Sequence, residues 1–155
     1  MQLTDNVIIN TDLSTVWQYL NQADFLEACI PGCTSLVGNP EKGFAATVNQ
    51  KIGPIKATFK GTVKISDVKF EQSYIIYGEG KGGAAGFAKG KAIVELYSDP
   101  NGTQLKYKVE AQVSGKIAQL GNRLIDGFAK NMAKKFFENF KVNCKNRVSF
   151  KDKSY

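Results

Sequence analysis

The sequence predicts an α+β fold. A curved antiparallel sheet of about seven strands, with two short helices near the N-terminus, grips one long C-terminal helix. Three observations carry this. From Lys116 to Phe140, Ile117, Leu120, Leu124, Phe128, Met132, Phe136 and Phe140 recur every three or four positions, which is one stripe of an α-helix. From Ile55 to Ser66, Ile55, Ala57, Phe59, Gly61, Val63 and Ile65 alternate with Lys56, Thr58, Lys60, Thr62, Lys64 and Ser66, as on a strand with one dry and one wet face. Leu13, Val16, Trp17 and Leu20 stand at i, i+3, i+4 and i+7, marking a compact amphipathic helix well before either.

In chain order, Gln2 to Ile9 reads as a strand ending in the apolar, β-branched run Val7-Ile8-Ile9. Asn10-Thr11-Asp12 is a helix-start signal and Asn21 ends the first helix. A second helix covers about Ala23 to Cys29 and must stop before Pro31, because proline disfavours helical geometry in the residue ahead of it. After Pro31-Gly32 the period becomes two. Thr34 to Val37, Phe44 to Asn49, Ile55 to Ser66, Ser73 to Lys81, Gly86 to Tyr97 and Leu105 to Val113 read as strands. Gly53-Pro54 and Asp99-Pro100-Asn101-Gly102 punctuate them. Ser114 is the expected N-cap of the long helix. A single domain over residues 1–142 is expected, followed by a short basic tail over 143–155.

Composition narrows the function. Hydrophobic residues make up 43% and charged residues 23%, the balance of a globular chain. No apolar run reaches the roughly 20 residues of a membrane span. The N-terminus lacks a basic region followed by an apolar block. Residence in the cytoplasm, peripheral to the inner face of the cell membrane, is the expectation. The chain has no histidine, which removes Ser-His-Asp and Cys-His nucleophiles and histidine metal ligands together. Cys29, Cys33 and Cys144 form neither an even disulfide set nor a zinc pattern, so no metal is expected. Asp126 and Glu79 are the carboxylates to consider near a cavity. Asp126 reads as a polar-face helix residue and Glu79 as a solvent-facing strand residue, so no catalytic group is assigned. The net charge of +7 favours an acidic partner. Lys134, Lys135, Lys141, Lys145 and Arg147 form the expected partner surface, with Val142, Val148 and Phe150 among the basic residues there. Nucleic acid is not expected, because the other lysines are interleaved along strands without a stacking platform.

The inward sheet face is small in its middle. Ala57 and Gly61, Gly78 and Gly80, Ala88, Gly90 and Ala92, and Ala111 all point one way by alternation. Interiors pack like organic crystals, so such a face is either covered closely by the helix or leaves room for a ligand. Both alternatives stay open from the sequence. Gly78-Glu79-Gly80-Lys81-Gly82-Gly83 matches G-x-G-x-x-G, but a strand pattern follows it where a phosphate-binding helix should start, so it reads as a bent hairpin.

Four segments together resemble the carbon monoxide dehydrogenase CoxG subunit family: Ala28-Cys29-Ile30-Pro31-Gly32-Cys33, Lys51-Ile52-Gly53-Pro54, Gly78 through Gly90, and Lys116 through Phe140. The resemblance spans about Leu3 to Phe140. It implies the helix-grip (START-like) fold of the SRPBCC superfamily, with a deep apolar cavity between sheet and helix. It also implies association with a molybdenum hydroxylase such as carbon monoxide dehydrogenase, attachment of that enzyme to the membrane, and no catalytic constellation. The expected cargo is a quinone or lipid rather than a covalent cofactor. The residues expected to line the cavity are Phe59, Gly61, Gly78, Ala88, Gly90, Ala92, Tyr107, Val109, Leu124, Phe128 and Met132. Replacing Gly90 with Leu is expected to block the cargo without unfolding the chain. The alternative is an adaptor that recruits the enzyme to the membrane through its basic surface.

Overall fold

The computed structural model describes residues 1–153, with side chains as far as residue 147. One antiparallel sheet contains β1 (Gln2–Ile9), β2 (Cys33–Asn39), β3 (Gly43–Ile52), β4 (Ile55–Lys69), β5 (Ser73–Lys81), β6 (Phe87–Asp99) and β7 (Gly102–Ser114). Their order across the sheet is β1-β7-β6-β5-β4-β3-β2. Helices α1 (Leu13–Leu20) and α2 (Ala23–Cys29) follow β1, and α3 (Asn122–Lys153) closes the domain. The predicted α+β architecture is therefore the observed one.

Local chemistry explains the boundaries. Asp12 caps α1, accepting from the Thr15 amide at 3.1 Å and from its hydroxyl at 2.7 Å. Those bonds hold the Asp12 carboxyl below its ordinary pKa. Ile30, just ahead of Pro31, is extended and ends α2. The first strand is tied to the last: the Met1 ammonium donates to the Ala111 carbonyl at 3.0 Å, and the Ala111 amide donates back to Met1 at 2.9 Å.

The long helix differs from expectation at both ends. Ser114 is the last residue of β7, not a cap. Residues Lys116–Leu120 form a separate 3-10 turn, flanked by Gly115 at φ 81° and Gly121 at φ 90°. Those angles lie outside the helical region, so the α-helix starts only at Asn122. It then runs on past Phe140. Cys144 is as buried as Phe140, and the Asn139 amide donates to the Cys29 carbonyl at 3.0 Å. Residues 143–153 thus continue the helix.

The core is divided. One cluster joins Ile9, Val16, Trp17, Tyr19, Leu20 and Phe25 to Tyr74, Val94, Leu96, Leu105, Phe140 and Cys144. A smaller one joins Ile52, Ala85 and Ile117 to the half-buried Ile55, Phe59, Val113, Leu120 and Phe128.

Candidate functional site

Between the two clusters lies the small-residue band. Strand register shows that its members share a face. Gly61 pairs with Gly80, which pairs with Ala88; Gly78 pairs with Gly90, which pairs with Ala111; and Ala92 pairs with Val109. Ala46, opposite Gly61, extends the band onto β3. Residues directly opposite in a sheet point the same way, so the alternation read from sequence holds across five strands. Tyr74, Val94, Tyr107, Leu96 and Leu105 follow on the same face and belong to the larger cluster.

The alternatives of close helix cover and open room are separated by what stands over the glycines. A methyl group added at Gly80 would meet no atom within 4 Å. At Gly78 the nearest atoms would be 3.9 Å and 4.0 Å away, both from β4. At Gly61 and Gly90 the first contacts are backbone oxygens of neighbouring strands, at 2.9 Å and 2.8 Å. No atom of α3 is among these contacts. The helix does not rest on the glycines, and open space stands above the middle of the sheet. Protein interiors rarely leave such space unfilled.

The aromatic residues stand at the two ends of this band. At one end the Phe59 ring lies on Gly82, where an added Cβ would come within 2.5 Å of Phe59 Cε1, and Phe59 and Phe128 both pack on the smaller cluster. At the other, Tyr107 stacks on Phe137 with ring centroids 5.2 Å apart, and Phe136 meets Phe137 edge-on at 5.0 Å. Burial raises the Tyr107 phenol, with a smaller contribution from the Asp5 carboxylate. Val109 and Met132 are half-buried, on β7 and on α3. Leu124 is placed differently from the other expected lining residues. It is 37% exposed and lies against Gly53, at the tip of the β3–β4 hairpin. Ile125, one residue on, takes the buried helix position.

Asp126 is not on the polar face. It is half-buried, and its Oδ1 atom is buried without a hydrogen-bond partner among the described residues. Glu79 is exposed on the outer face, as expected. Among the described residues no group of acidic, cysteine or histidine side chains could hold a metal. Burial raises the Cys29 and Cys33 thiols and pushes Cys144 up to about 11, so none is an activated nucleophile.

The expected partner surface divides. Lys134, Lys135, Lys141 and Lys145 are exposed on α3. Lys134 and Lys141 flank a side groove of about 550 Å³ between α3 and β1, which Tyr107 and Phe137 also line. Arg147 is occupied internally: it pairs with Asp24 at 3.0 Å and lies over the Tyr19 and Phe25 rings. That pairing holds the Asp24 carboxyl below its ordinary value. Val142 is exposed, whereas the Val148 and Phe150 side chains lie outside the described residues.

A sheet wrapped on a long helix over a glycine floor is a helix-grip fold, and one family model of this kind matches residues 6–144, that of the CoxG subunit of carbon monoxide dehydrogenase. The chain belongs to the CoxG family. CoxG is a family of accessory subunits, and its name ties it to carbon monoxide dehydrogenase. No curated protein matches the sequence. Among solved structures, a conserved protein from Geobacillus kaustophilus is 26% identical at a TM-score of 0.87, covering 94% of this chain and 96% of that one. A Mesorhizobium loti protein is 14% identical at a TM-score of 0.67, covering 94% and 98%. A Nitrosomonas europaea protein is 14% identical at 0.65, covering 95% and 96%. The latter two share the fold alone with this CoxG chain. Sequence reasoning missed Gly82 and Phe137. The sign for Phe137 was present in its place on the helix stripe, whereas nothing in the sequence pairs Gly82 with Phe59.

Proposed function

We propose that this CoxG-family chain is a non-enzymatic carrier. It holds a lipophilic molecule of the quinone or lipid class over the glycine floor, in association with a molybdenum hydroxylase such as carbon monoxide dehydrogenase. The observation that carries this reading is the open space over Gly78 and Gly80 between two separate core clusters. Unfilled apolar space costs stability, roughly 24 cal/mol per Å³. A fold that retains it is best explained by a ligand that fills it. Phe59 and Phe128 at one end, Tyr107 and Phe137 at the other, and Met132 on α3 supply apolar contact. The unpartnered Asp126 oxygen suits a hydroxyl on a polar-headed cargo, since a buried acceptor without a donor costs free energy. The absence of histidine and the raised thiols argue against catalysis.

Native mass spectrometry of gently purified protein, followed by solvent extraction of the bound material, tests the proposal. A stoichiometric quinone or acyl species is expected. Protein that is empty as isolated and also ignores added decylubiquinone would overturn it.

A further inference from the structure

The charges of this domain are sorted by end. At one end lie the β3–β4 tip, the β5–β6 connection, the 3-10 turn Lys116–Leu120 and the start of α3. Contacts bring these together: Gly53 lies against Leu120 and Leu124, while Ile52, Ala85 and Ile117 share a cluster. This end carries Lys51, Lys56, Lys81, Lys116 and Arg123, all exposed, against the half-buried Asp126 alone. The opposite end holds the β2–β3, β4–β5 and β6–β7 turns and the cap of α1. It carries Glu41, Asp67, Glu71, Asp99 and Asp12 against Lys42 and Lys69.

The basic end also breaks a pairing rule. Lys51 stands directly opposite Lys56, and Lys60 directly opposite Lys81. Like charges facing each other across a sheet repel, so the arrangement costs stability unless an anionic partner offsets it. Within the ring of cations the surface is apolar or small: Pro54, Ala84, Ala118, Gly121 and Leu124 are exposed. Apolar residues set among cations match an anionic lipid bilayer, whose headgroups meet the lysines while the apolar residues enter the interface. An acidic protein would satisfy the lysines but leave Leu124 and Pro54 unexplained. Nucleic acid would find no exposed aromatic there on which to stack.

We propose that the end formed by Lys51–Lys56, Lys81, Ala84, Lys116 and Arg123–Leu124 docks on anionic lipid bilayers and is the mouth through which cargo passes. This rests on the carrier reading for the cargo, but the docking itself does not. It also moves the membrane contact from the Lys134–Arg147 region of the helix to the tips of the sheet.

The test is flotation of the full chain with vesicles of phosphatidylcholine alone or mixed with phosphatidylglycerol, alongside uptake of decylubiquinone from vesicle-free solution. Binding is expected only with phosphatidylglycerol, and it should weaken with salt. Each lysine near such a surface is worth about 1 kcal/mol, so Lys51→Gln with Lys56→Gln should weaken binding roughly 30-fold. Lys134→Gln with Lys135→Gln should change it little. Both variant pairs lie on exposed positions and should keep wild-type melting and wild-type decylubiquinone uptake. Leu124→Ser should weaken binding without altering its salt dependence. No flotation, equal flotation with neutral vesicles, or loss only in the Lys134/Lys135 variant would each overturn the docking proposal. If decylubiquinone uptake persisted in any of these cases, the carrier reading would stand. Normal flotation without uptake would leave the docking surface and remove the carrier.

Discussion

The two halves of this interior are built on opposite plans. Around Phe25 and Phe140 the domain is filled: Tyr19 stacks on Phe25 at 4.2 Å, Phe140 meets Phe25 edge-on at 4.9 Å, and Trp17 meets Tyr74 edge-on at 5.5 Å. Around Gly78 and Gly80 the same sheet, under the same helix, presents backbone to open space. The filled half supplies the stability that lets the other half stay open. Residues in the first should behave as structure, and residues in the second as binding surface.

The largest test of that contrast is Phe140→Ala. Phe140 is fully buried, and its loss should cost about 3–5 kcal/mol in urea unfolding. Next comes alkaline pH. Folding raises the Cys144 thiol from 9.0 to about 11 by burial, so the unfolded chain ionises first. Stability should be intact below pH 9 and fall as pH rises towards 11, by up to roughly 2–3 kcal/mol from this group. In Cys144→Ala, less stable at neutral pH, that decline should be shallower. Gly82→Val comes third. Its side chain would displace the Phe59 ring at one end of the floor, at about 1–3 kcal/mol, with weaker cargo uptake. The smallest effect belongs to Gly80→Ala. A methyl there meets nothing, so melting should be unchanged or slightly raised, by about 0.5–1 kcal/mol. A large loss from Gly80→Ala would erase the distinction between the halves.

Much of this was legible in sequence because periodicity depends on local residues. The bounds of β1, α2 and β5 follow from β-branched runs, Pro31 and glycines near at hand. The shared face of Gly61, Gly80 and Ala88 follows from alternation, and register confirms it. What the sequence hid depends on long-range contact. The break at Gly121 is a backbone angle that the stripe of apolar residues ran straight across. Leu124 fits that stripe, yet the break leaves it at the mouth beside Gly53 while Ile125 turns inward. Arg147 reads as surface charge until α2 brings Asp24 beneath it. Gly90 is a poorer position for blocking than expected. A Cβ there meets the Glu110 carbonyl at 2.8 Å and the Ala111 Cβ at 3.2 Å, so Gly90→Leu would strain the sheet as well as fill the space. Gly80 has no such neighbour.

The most direct measurement is therefore decylubiquinone binding to wild type and to Gly80→Leu, by native mass spectrometry, with thermal melting of both proteins. The carrier account predicts one bound molecule per wild-type chain, none on the variant, and melting temperatures that agree closely. Equal binding by two equally stable proteins would contradict it, because the cargo would then lie somewhere other than over the glycine floor.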